Sequence, residues 1–215
     1  MERSRERILR IIQQSGSANV DTLAGHLGLA PATVRRHLDI LQRDGLVTYT
    51  EVRKPTGRPE YSFSLTERGH ELMPKNYDAL LSELLREIGA RPAGELDGMS
   101  GREVLSDAFE TLGKRAGAEY LGRAAHDPVD AITVALRDRD FAPDVTRSSD
   151  GLKVKLTNCP FRSVALLDQS VCAFDASLIS GLLGIPVRRE TCIADGAQCC
   201  TYVTAELARP RSTQP

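Results

Sequence analysis

All five cysteines of this 215-residue chain lie between residues 159 and 200, and residues 1–158 contain none. They are Cys159, Cys172, Cys192, Cys199 and Cys200. Thiolates bind zinc and iron–sulfur clusters, and they also form disulfides or act as redox switches. Because the number is odd, a closed disulfide framework is disfavoured, and the pattern favours metal binding or thiol chemistry.

The spacing of these cysteines distinguishes between kinds of metal site. Twelve residues separate Cys159 from Cys172, nineteen separate Cys172 from Cys192, and seven separate Cys192 from Cys200. Structural zinc sites usually draw their ligands from close pairs such as Cys-x-x-Cys, which the chain lacks. Iron–sulfur clusters are larger and accept thiolates from separate loops, so the spacing favours a cluster. Buried cysteines that simply act as small apolar residues are the alternative.

The adjacent cysteines 199 and 200 stand at the start of a predicted strand, CCTYVTAEL, so their side chains should point to opposite faces. Only one of them should reach a shared site. A two-residue turn at Asp195-Gly196 would place Cys192 opposite Cys199, whereas a three-residue loop with a bulge would place it opposite Cys200. The local pattern leaves both possibilities open.

The N-terminal residues have the pattern of a winged helix-turn-helix domain. Apolar residues at helical spacing predict helices over RSRERILRIIQQ, VDTLAGHL and the segment that begins at Pro31, with short turns between them. Two segments of alternating polarity, LVTYTEV and EYSFSLT, follow and are joined by RKPTGRP, which is typical of a hairpin tip. We therefore predict a DNA-binding domain over residues 1–70.

The third helix would be the recognition helix, whose first residues face base edges in the major groove. Arg36 is the best candidate for a base contact, because a guanidinium can pair bidentately with guanine. The hairpin tip would approach the flanking backbone or the minor groove. The predicted DNA-binding residues are Ala32, Thr33, Arg35, Arg36 and His37 on the helix, and Arg53, Lys54 and Arg58 at the tip.

The remaining chain is predicted to be a sensor half, so that the whole protein is an α+β fold. Residues 71–101 would form a connecting or dimerisation helix and a linker, since leucines recur at helical spacing between residues 80 and 88. Residues 102–208 mix helical and strand patterns and contain the cysteines, and residues 209–215 would form a flexible tail. A helix-turn-helix protein that reads a palindromic operator is expected to be a homodimer.

Composition excludes several other classes of protein. Apolar residues make up 41% of the chain and charged residues 27%, which is typical of a globular protein, and the net charge is −1. No run of about 18 apolar residues predicts a membrane span, so we expect a cytoplasmic protein with no membrane partner. The C-terminal half has one histidine, His126, and no phosphate loop or nucleophile motif, which disfavours an enzyme.

The combination of TVRRHLDILQRDGLV…GRPEYSFSLTERG with a C-terminal NCPF…VC…DG…C.Y resembles the SufR-type branch of winged-helix regulators, which is related to the ArsR and DeoR groups. The resemblance covers nearly the whole chain. It implies a homodimeric transcriptional repressor that carries a [4Fe–4S] cluster and controls genes for iron–sulfur cluster assembly. The ligands it implies are Cys159, Cys172 and Cys200, with Cys192 where a further thiolate is expected and Cys199 as an alternative.

Two other functions are compatible with these residues. One is a regulator of another operon that senses through zinc, through a [2Fe–2S] cluster or through thiol oxidation at the same cysteines. The other belongs to a different class: a cysteine-dependent enzyme or small-molecule-binding protein whose N-terminal half is an interaction module.

Overall fold

The computed structural model of the protein describes residues 2–52, 60–121, 127–148 and 151–204. The chain divides into two compact units, Met1–Lys75 and Asn76–Pro215. The leucine-rich helix predicted within residues 71–101 therefore belongs to the C-terminal unit. The predicted tail, 209–215, lies outside the described residues.

The N-terminal unit has three helices followed by a two-stranded antiparallel hairpin and a short helix. Its elements are α1 (Glu2–Ser15), α2 (Val20–Leu27), α3 (Pro31–Arg43), β1 (Val47–Val52), β2 (Glu60–Leu65) and α4 (Glu67–Glu71). The hairpin starts with Val47 opposite Leu65. Residues from all three large helices and from the hairpin form one apolar core, which includes Ile8, Ile12, Leu23, Val34, Leu38, Leu41 and Phe63. The predicted winged-helix order is confirmed.

Local sequence signals account for the ends of the helices in this unit. The side chain of Asn19 caps α2, its Oδ1 accepting a hydrogen bond of 2.7 Å from the backbone N–H of Thr22. Gly28 ends α2 with a φ of 67°, a left-handed conformation that glycine adopts without strain. Pro31 is the first residue of α3, where its missing N–H costs nothing.

The C-terminal unit consists of a four-stranded sheet and five α-helices within the described residues. Its elements are α5 (Tyr77–Gly89), α6 (Gly101–Leu121), α7 (Pro128–Arg137), β3 (Pro143–Ser148), β4 (Gly151–Leu156), α8 (Arg162–Leu167), α9 (Ala173–Leu183), β5 (Arg188–Thr191) and β6 (Cys200–Val203). Short 3-10 turns lie at Ala93–Glu95, Gln169–Cys172 and Ile193–Asp195. In the described part of the chain, no helix has both the length and the apolar content needed to cross a bilayer.

The sheet is antiparallel throughout, with strand order β3-β4-β6-β5. Leu156 pairs with Cys200 and Val154 pairs with Tyr202 on the two central strands. All four of these residues are buried, so the face that they share is the core side of the sheet. Cys200, the first residue of β6, therefore points into the core of the unit.

Helices α6 and α9 pack closely because glycine replaces larger residues on the contact face of α6. A methyl group at Gly113 would overlap the carbonyl oxygen of Phe174 and crowd Cβ of Ser177. One turn later, a methyl at Gly117 would lie 3.1 Å from the carbonyl oxygen of Leu178. This close approach holds α9, and with it Cys172 at its N-terminus, against the long helix α6.

Two features of this unit differ from the sequence-based expectation. The connection between β5 and β6 is longer than either predicted turn, because Thr191 pairs with Thr201 and a 3-10 turn at Ile193–Asp195 occupies the intervening loop. Helix α8 and the 3-10 turn Gln169–Cys172 lie in a segment for which no element was predicted. Both elements are short, and elements of one or two turns leave little periodicity to read.

Candidate metal centre and nucleic-acid interface

Helix α3 presents four of the predicted DNA-binding residues on its exposed side. Ala32, Thr33, Arg35 and Arg36 are exposed, and the intervening Val34 is fully buried. The helical period separates these two sets, since Val34 must face the core of the unit. The first two turns of α3 therefore have an accessible face with two guanidinium groups.

His37 is placed differently from the expectation. Its side chain is only 7% exposed, because it follows Val34 by three residues and precedes Leu41 by four, on the core side of α3. Its Nδ1 atom is buried and has no hydrogen-bond partner within the described part of the chain. The structure thus places His37 on the core side of α3, away from the exposed face that carries the other four residues, and a phosphate contact by His37 stays a prediction.

The predicted tip of the wing, with Arg53, Lys54 and Arg58, lies at residues 53–59, outside the described residues. The strands on either side of it are formed, and they carry an exposed aromatic pair, Tyr49 and Tyr61, whose ring centroids are 4.8 Å apart. The role of the tip cations stays a prediction.

Four of the five cysteines, Cys159, Cys172, Cys192 and Cys200, line one small pocket in the C-terminal unit. They come from four places in the chain: the loop after β4, the start of α9, the end of β5 and the start of β6. The other lining residues are mostly apolar: Phe141, Phe161, Ala165, Val171, Asp175, Ile193 and Ala194. The fold thus gathers thiols that are up to 41 positions apart in sequence.

Cys199 does not line this pocket. Its thiol is half-buried and lies 3.7 Å from Oγ1 of Thr201, while its carbonyl oxygen accepts a hydrogen bond from the hydroxyl of Thr191. The thiol of Cys200, in contrast, is buried and accepts a hydrogen bond of 3.3 Å from the backbone N–H of Ile193. Of the two adjacent cysteines, only Cys200 lines the pocket.

Burial keeps two of the pocket thiols protonated. It raises the pKa of Cys172 and that of Cys200 well above the ordinary range, and the nearby carboxylate of Asp175 raises both further. Cys159 and Cys192 contribute to the same increase at both positions, so the four sulfurs share one electrostatic environment. A metal that binds here must therefore displace protons from the thiols.

Asp175 and Tyr202 are pocket-side residues that the sequence analysis missed. The hydroxyl of Tyr202 donates a hydrogen bond of 2.7 Å to Oδ2 of Asp175, and both side chains are buried. Burial raises the pKa of Asp175 to about 6, although the hydrogen bond from Tyr202 opposes that increase. The available signal was positional: Asp175 follows Cys172 by three residues, and Tyr202 follows Cys200 by two.

A positively charged residue also lies beside the pocket. Arg189 stands opposite Tyr202 in the register of β5 and β6. Burial lowers the pKa of Arg189, but Cys192, Tyr202 and Cys172 each raise it, and the net change is upward. Its guanidinium can offset negative charge that develops on the thiols.

The donor set fits an iron–sulfur cluster better than a single metal ion. Four cysteine thiolates are the usual ligands of a [4Fe–4S] cluster, and the other pocket walls are largely apolar. Among the described residues, no three His, Cys, Asp or Glu side chains are arranged to hold one ion. The cavity itself is about 10 Å³, room for about one water molecule, so its walls must separate to admit a cluster.

Comparison with known proteins identifies the N-terminal unit. Residues 1–48 match the family model described as winged helix-turn-helix DNA-binding. A search of curated proteins found no match.

The solved structures that resemble this chain include two transcriptional regulators. A transcriptional regulator homologue from Pyrococcus horikoshii OT3 is 26% identical, with 40% of this chain and 79% of that chain covered and a TM-score of 0.29. Bacillus subtilis PadR in complex with operator DNA is 16% identical, with 84% and 95% covered and a TM-score of 0.28. Scores this low establish no common fold beyond the family match.

Proposed function

Given that residues 1–48 match the winged helix-turn-helix DNA-binding family model, we propose that this protein is a transcriptional repressor whose C-terminal unit holds a [4Fe–4S] cluster. The ligands are Cys159, Cys172, Cys192 and Cys200. Binding to a double-stranded operator depends on the cluster, and the regulated genes are those of iron–sulfur cluster assembly. The choice of genes rests on the SufR-type resemblance.

One observation carries this proposal: four cysteines from separate segments line a single pocket, and the fifth lies outside it. Chance burial of small apolar residues would not select four thiols for one cavity. The count also equals the ligand number of the proposed cofactor.

When bound, such a cluster would supply an oxygen- and iron-sensitive link between the four segments. Its ligands Cys159, Cys172, Cys192 and Cys200 would hold the loop after β4, the start of α9, the end of β5 and the start of β6 in one arrangement. Cys172 and Cys200, whose pKa values are raised by burial, must give up their protons for this, and Arg189 offsets part of the resulting negative charge. Without a metal this link is absent and the segments are held only by packing and hydrogen bonds, so the unit loosens.

We propose that loosening of the C-terminal unit weakens DNA binding because it disturbs the dimer. Leu81 and Leu85 lie one turn apart on α5 and are 58% and 65% exposed. We propose that this stripe packs against the same stripe of a second copy, as in a two-fold symmetric dimer. A dimer sets the distance between its two recognition helices, and a less ordered dimer therefore binds an operator less tightly.

The dimer has its own test. We expect Leu81→Lys/Leu85→Lys to be monomeric in light-scattering chromatography, because two ammonium groups would be buried against a like pair. The control is Val134→Lys, which places a lysine at an exposed apolar residue of α7 and should leave the molecular mass in solution unchanged. If Leu81→Lys/Leu85→Lys has the same molecular mass in solution as Val134→Lys, α5 does not form the dimer interface.

The cofactor and its effect on DNA are tested together on anaerobically purified protein. We expect a brown protein with a broad absorption band near 400 nm and about four iron and four sulfide per chain. The cluster-loaded and the cluster-free protein are each used to select DNA duplexes from a random library. The affinity of each form for the selected duplexes is then measured by titration. The loaded form should bind its selected duplex more tightly.

Other results would favour one of the alternative functions. A colourless protein containing zinc supports a zinc-bound regulator, and a metal-free protein whose DNA binding changes on thiol oxidation supports a thiol switch. If neither form selects any duplex, the regulator itself is wrong, and an enzyme or small-molecule-binding protein becomes the better hypothesis.

A further inference from the structure

A buried hydrogen bond connects two of the cysteine segments. Tyr202 is fully buried, and its hydroxyl donates to the carboxylate of Asp175, which is 6% exposed and lines the pocket. No role in ligation is assigned to either residue. Their positions along the chain nevertheless relate them to the thiols.

Each partner of this hydrogen bond is tied closely to one cysteine. Asp175 lies in the first turn of α9, and Cys172 is the residue that caps that helix, three positions earlier. Tyr202 and Cys200 are two apart on β6 and therefore share the core face of the sheet. The hydrogen bond thus joins the backbone that carries Cys172 to the backbone that carries Cys200.

Energetics give a reason to assign this bond an orienting role. A buried hydrogen bond adds only modestly to the net free energy of unfolding, and replacing both partners by apolar groups of similar shape is often nearly neutral. Stability alone could thus be achieved without a buried carboxylate. What an apolar pair cannot supply is a fixed direction and distance between helix and strand.

We propose that Asp175 and Tyr202 are positioning residues of the cysteine pocket, whose hydrogen bond sets the placement of the Cys172 thiol relative to the Cys200 thiol. The role as positioning residues for a cluster rests on the proposed function. The placement of the thiols does not, since it concerns the metal-free chain.

The test compares three variants. Tyr202→Phe removes only the hydroxyl, leaving the carboxylate of Asp175 without this donor. Asp175→Leu/Tyr202→Phe replaces both partners by apolar groups, so that stability should recover while the directional bond stays absent. The matched control is Thr204→Val, which removes a buried hydroxyl that accepts from the N–H of Leu152 at 2.9 Å, outside the pocket lining.

Three properties are measured on each variant and on the parent: thiol bridging, the spectrum and potential of the cluster, and stability. The cluster-free protein is treated with a bifunctional thiol reagent, and the bridged cysteine pairs are identified by peptide mapping. The reconstituted protein is examined by electron paramagnetic resonance after reduction, and its midpoint potential is determined. Urea unfolding reports the stability of each variant.

We expect the rate of bridges that include Cys172 to fall by about tenfold in Tyr202→Phe and in the double variant, because bridging depends on the mutual orientation of two groups. Their resonance spectra and midpoint potentials should also differ from the parent, and Thr204→Val should match the parent. If the double variant recovers both stability and the parent bridging pattern, the pair is merely structural and the proposal is overturned.

The two proposals fail separately. If the parent binds no cluster, the proposed function is wrong, and the bridging pattern of the cluster-free protein alone decides on positioning. If the parent binds a cluster and all variants share its bridging pattern and spectrum, the positioning proposal is wrong while the cluster stands.

Discussion

The backbone N–H of Ile193 donates a 3.3 Å hydrogen bond to the sulfur of Cys200. This contact holds the Cys200 thiol inside the pocket, next to the 3-10 turn that follows Cys192. An N–H donor directed at a sulfur also stabilises the thiolate form that a metal requires. The thiol of the neighbouring Cys199 instead lies 3.7 Å from Oγ1 of Thr201, and Cys199 does not line the pocket.

We therefore expect Cys200→Ser to give pale protein with weakened operator binding, and we expect the same of Cys159→Ser and Cys172→Ser. Cys199→Ser is the matched control and should stay brown and keep its affinity. Iron and sulfide assays with anaerobic gel-shift titrations measure both properties. A colourless Cys199→Ser beside a coloured Cys200→Ser would reverse the ligand assignment.

The exposed face of α3 leads to a prediction about sequence recognition. Arg36→Ala should weaken binding to the selected duplex by about 1–3 kcal/mol and relax the preference at one base position, as loss of one bidentate base contact does. Arg137→Ala, at an exposed arginine of the C-terminal unit, should have no such effect. Titrations on duplexes that vary one position at a time provide the measurement.

A cation at the wing tip should behave differently from Arg36. Lys54→Ala should weaken binding to selected and to random duplexes by the same factor, because a phosphate contact carries no sequence information. It should also make the affinity depend less steeply on salt concentration. Equal losses for Arg36→Ala and Lys54→Ala on both kinds of duplex would contradict the assignment of recognition helix and wing.

The close packing of α6 on α9 predicts a strong effect of one methyl group. Gly113→Ala should lower the free energy of unfolding by about 1–3 kcal/mol, since the added Cβ meets backbone of α9 that cannot move aside cheaply. Gly181→Ala is the control within α9 itself, where a Cβ has nothing within 4 Å, and should raise stability by up to about 1 kcal/mol. Urea unfolding at constant pH distinguishes them, and a neutral Gly113→Ala would refute the close contact.

The raised pKa of Asp175 leads to a prediction about how the free energy of unfolding of the cluster-free protein varies with pH. Its pKa is about 6 in the folded protein, compared with about 3.9 in an unfolded chain. Between these values the folded state holds a proton that the unfolded state has lost, so this stabilising contribution declines as pH rises from about 4 to about 6. Relative to Asp175→Asn, the parent should thus lose stability over this range, as followed by urea unfolding at each pH. A constant difference between the two proteins would be inconsistent with a raised pKa.

Much of the N-terminal unit was predictable because its signals are local. The cap at Asn19, the left-handed Gly28 and the initial Pro31 each act within one turn of helix. Helical periodicity likewise placed Val34 in the core and Arg36 on the surface. His37 was the exception, because its side of the helix borders the core and a polar residue type does not reveal burial.

The sequence by itself determined the winged-helix order of elements, the exposed guanidinium groups of α3 and the restriction of all thiols to the C-terminal half, because each depends on residue type and short-range spacing. Only the tertiary structure decided that Cys200 rather than Cys199 lines the pocket, and that Asp175 meets Tyr202 there. Those relationships arise from the pairing of β6 between β4 and β5 and from the packing of α9 on α6. Contacts between residues that are distant in sequence depend on the whole core, which no local pattern encodes.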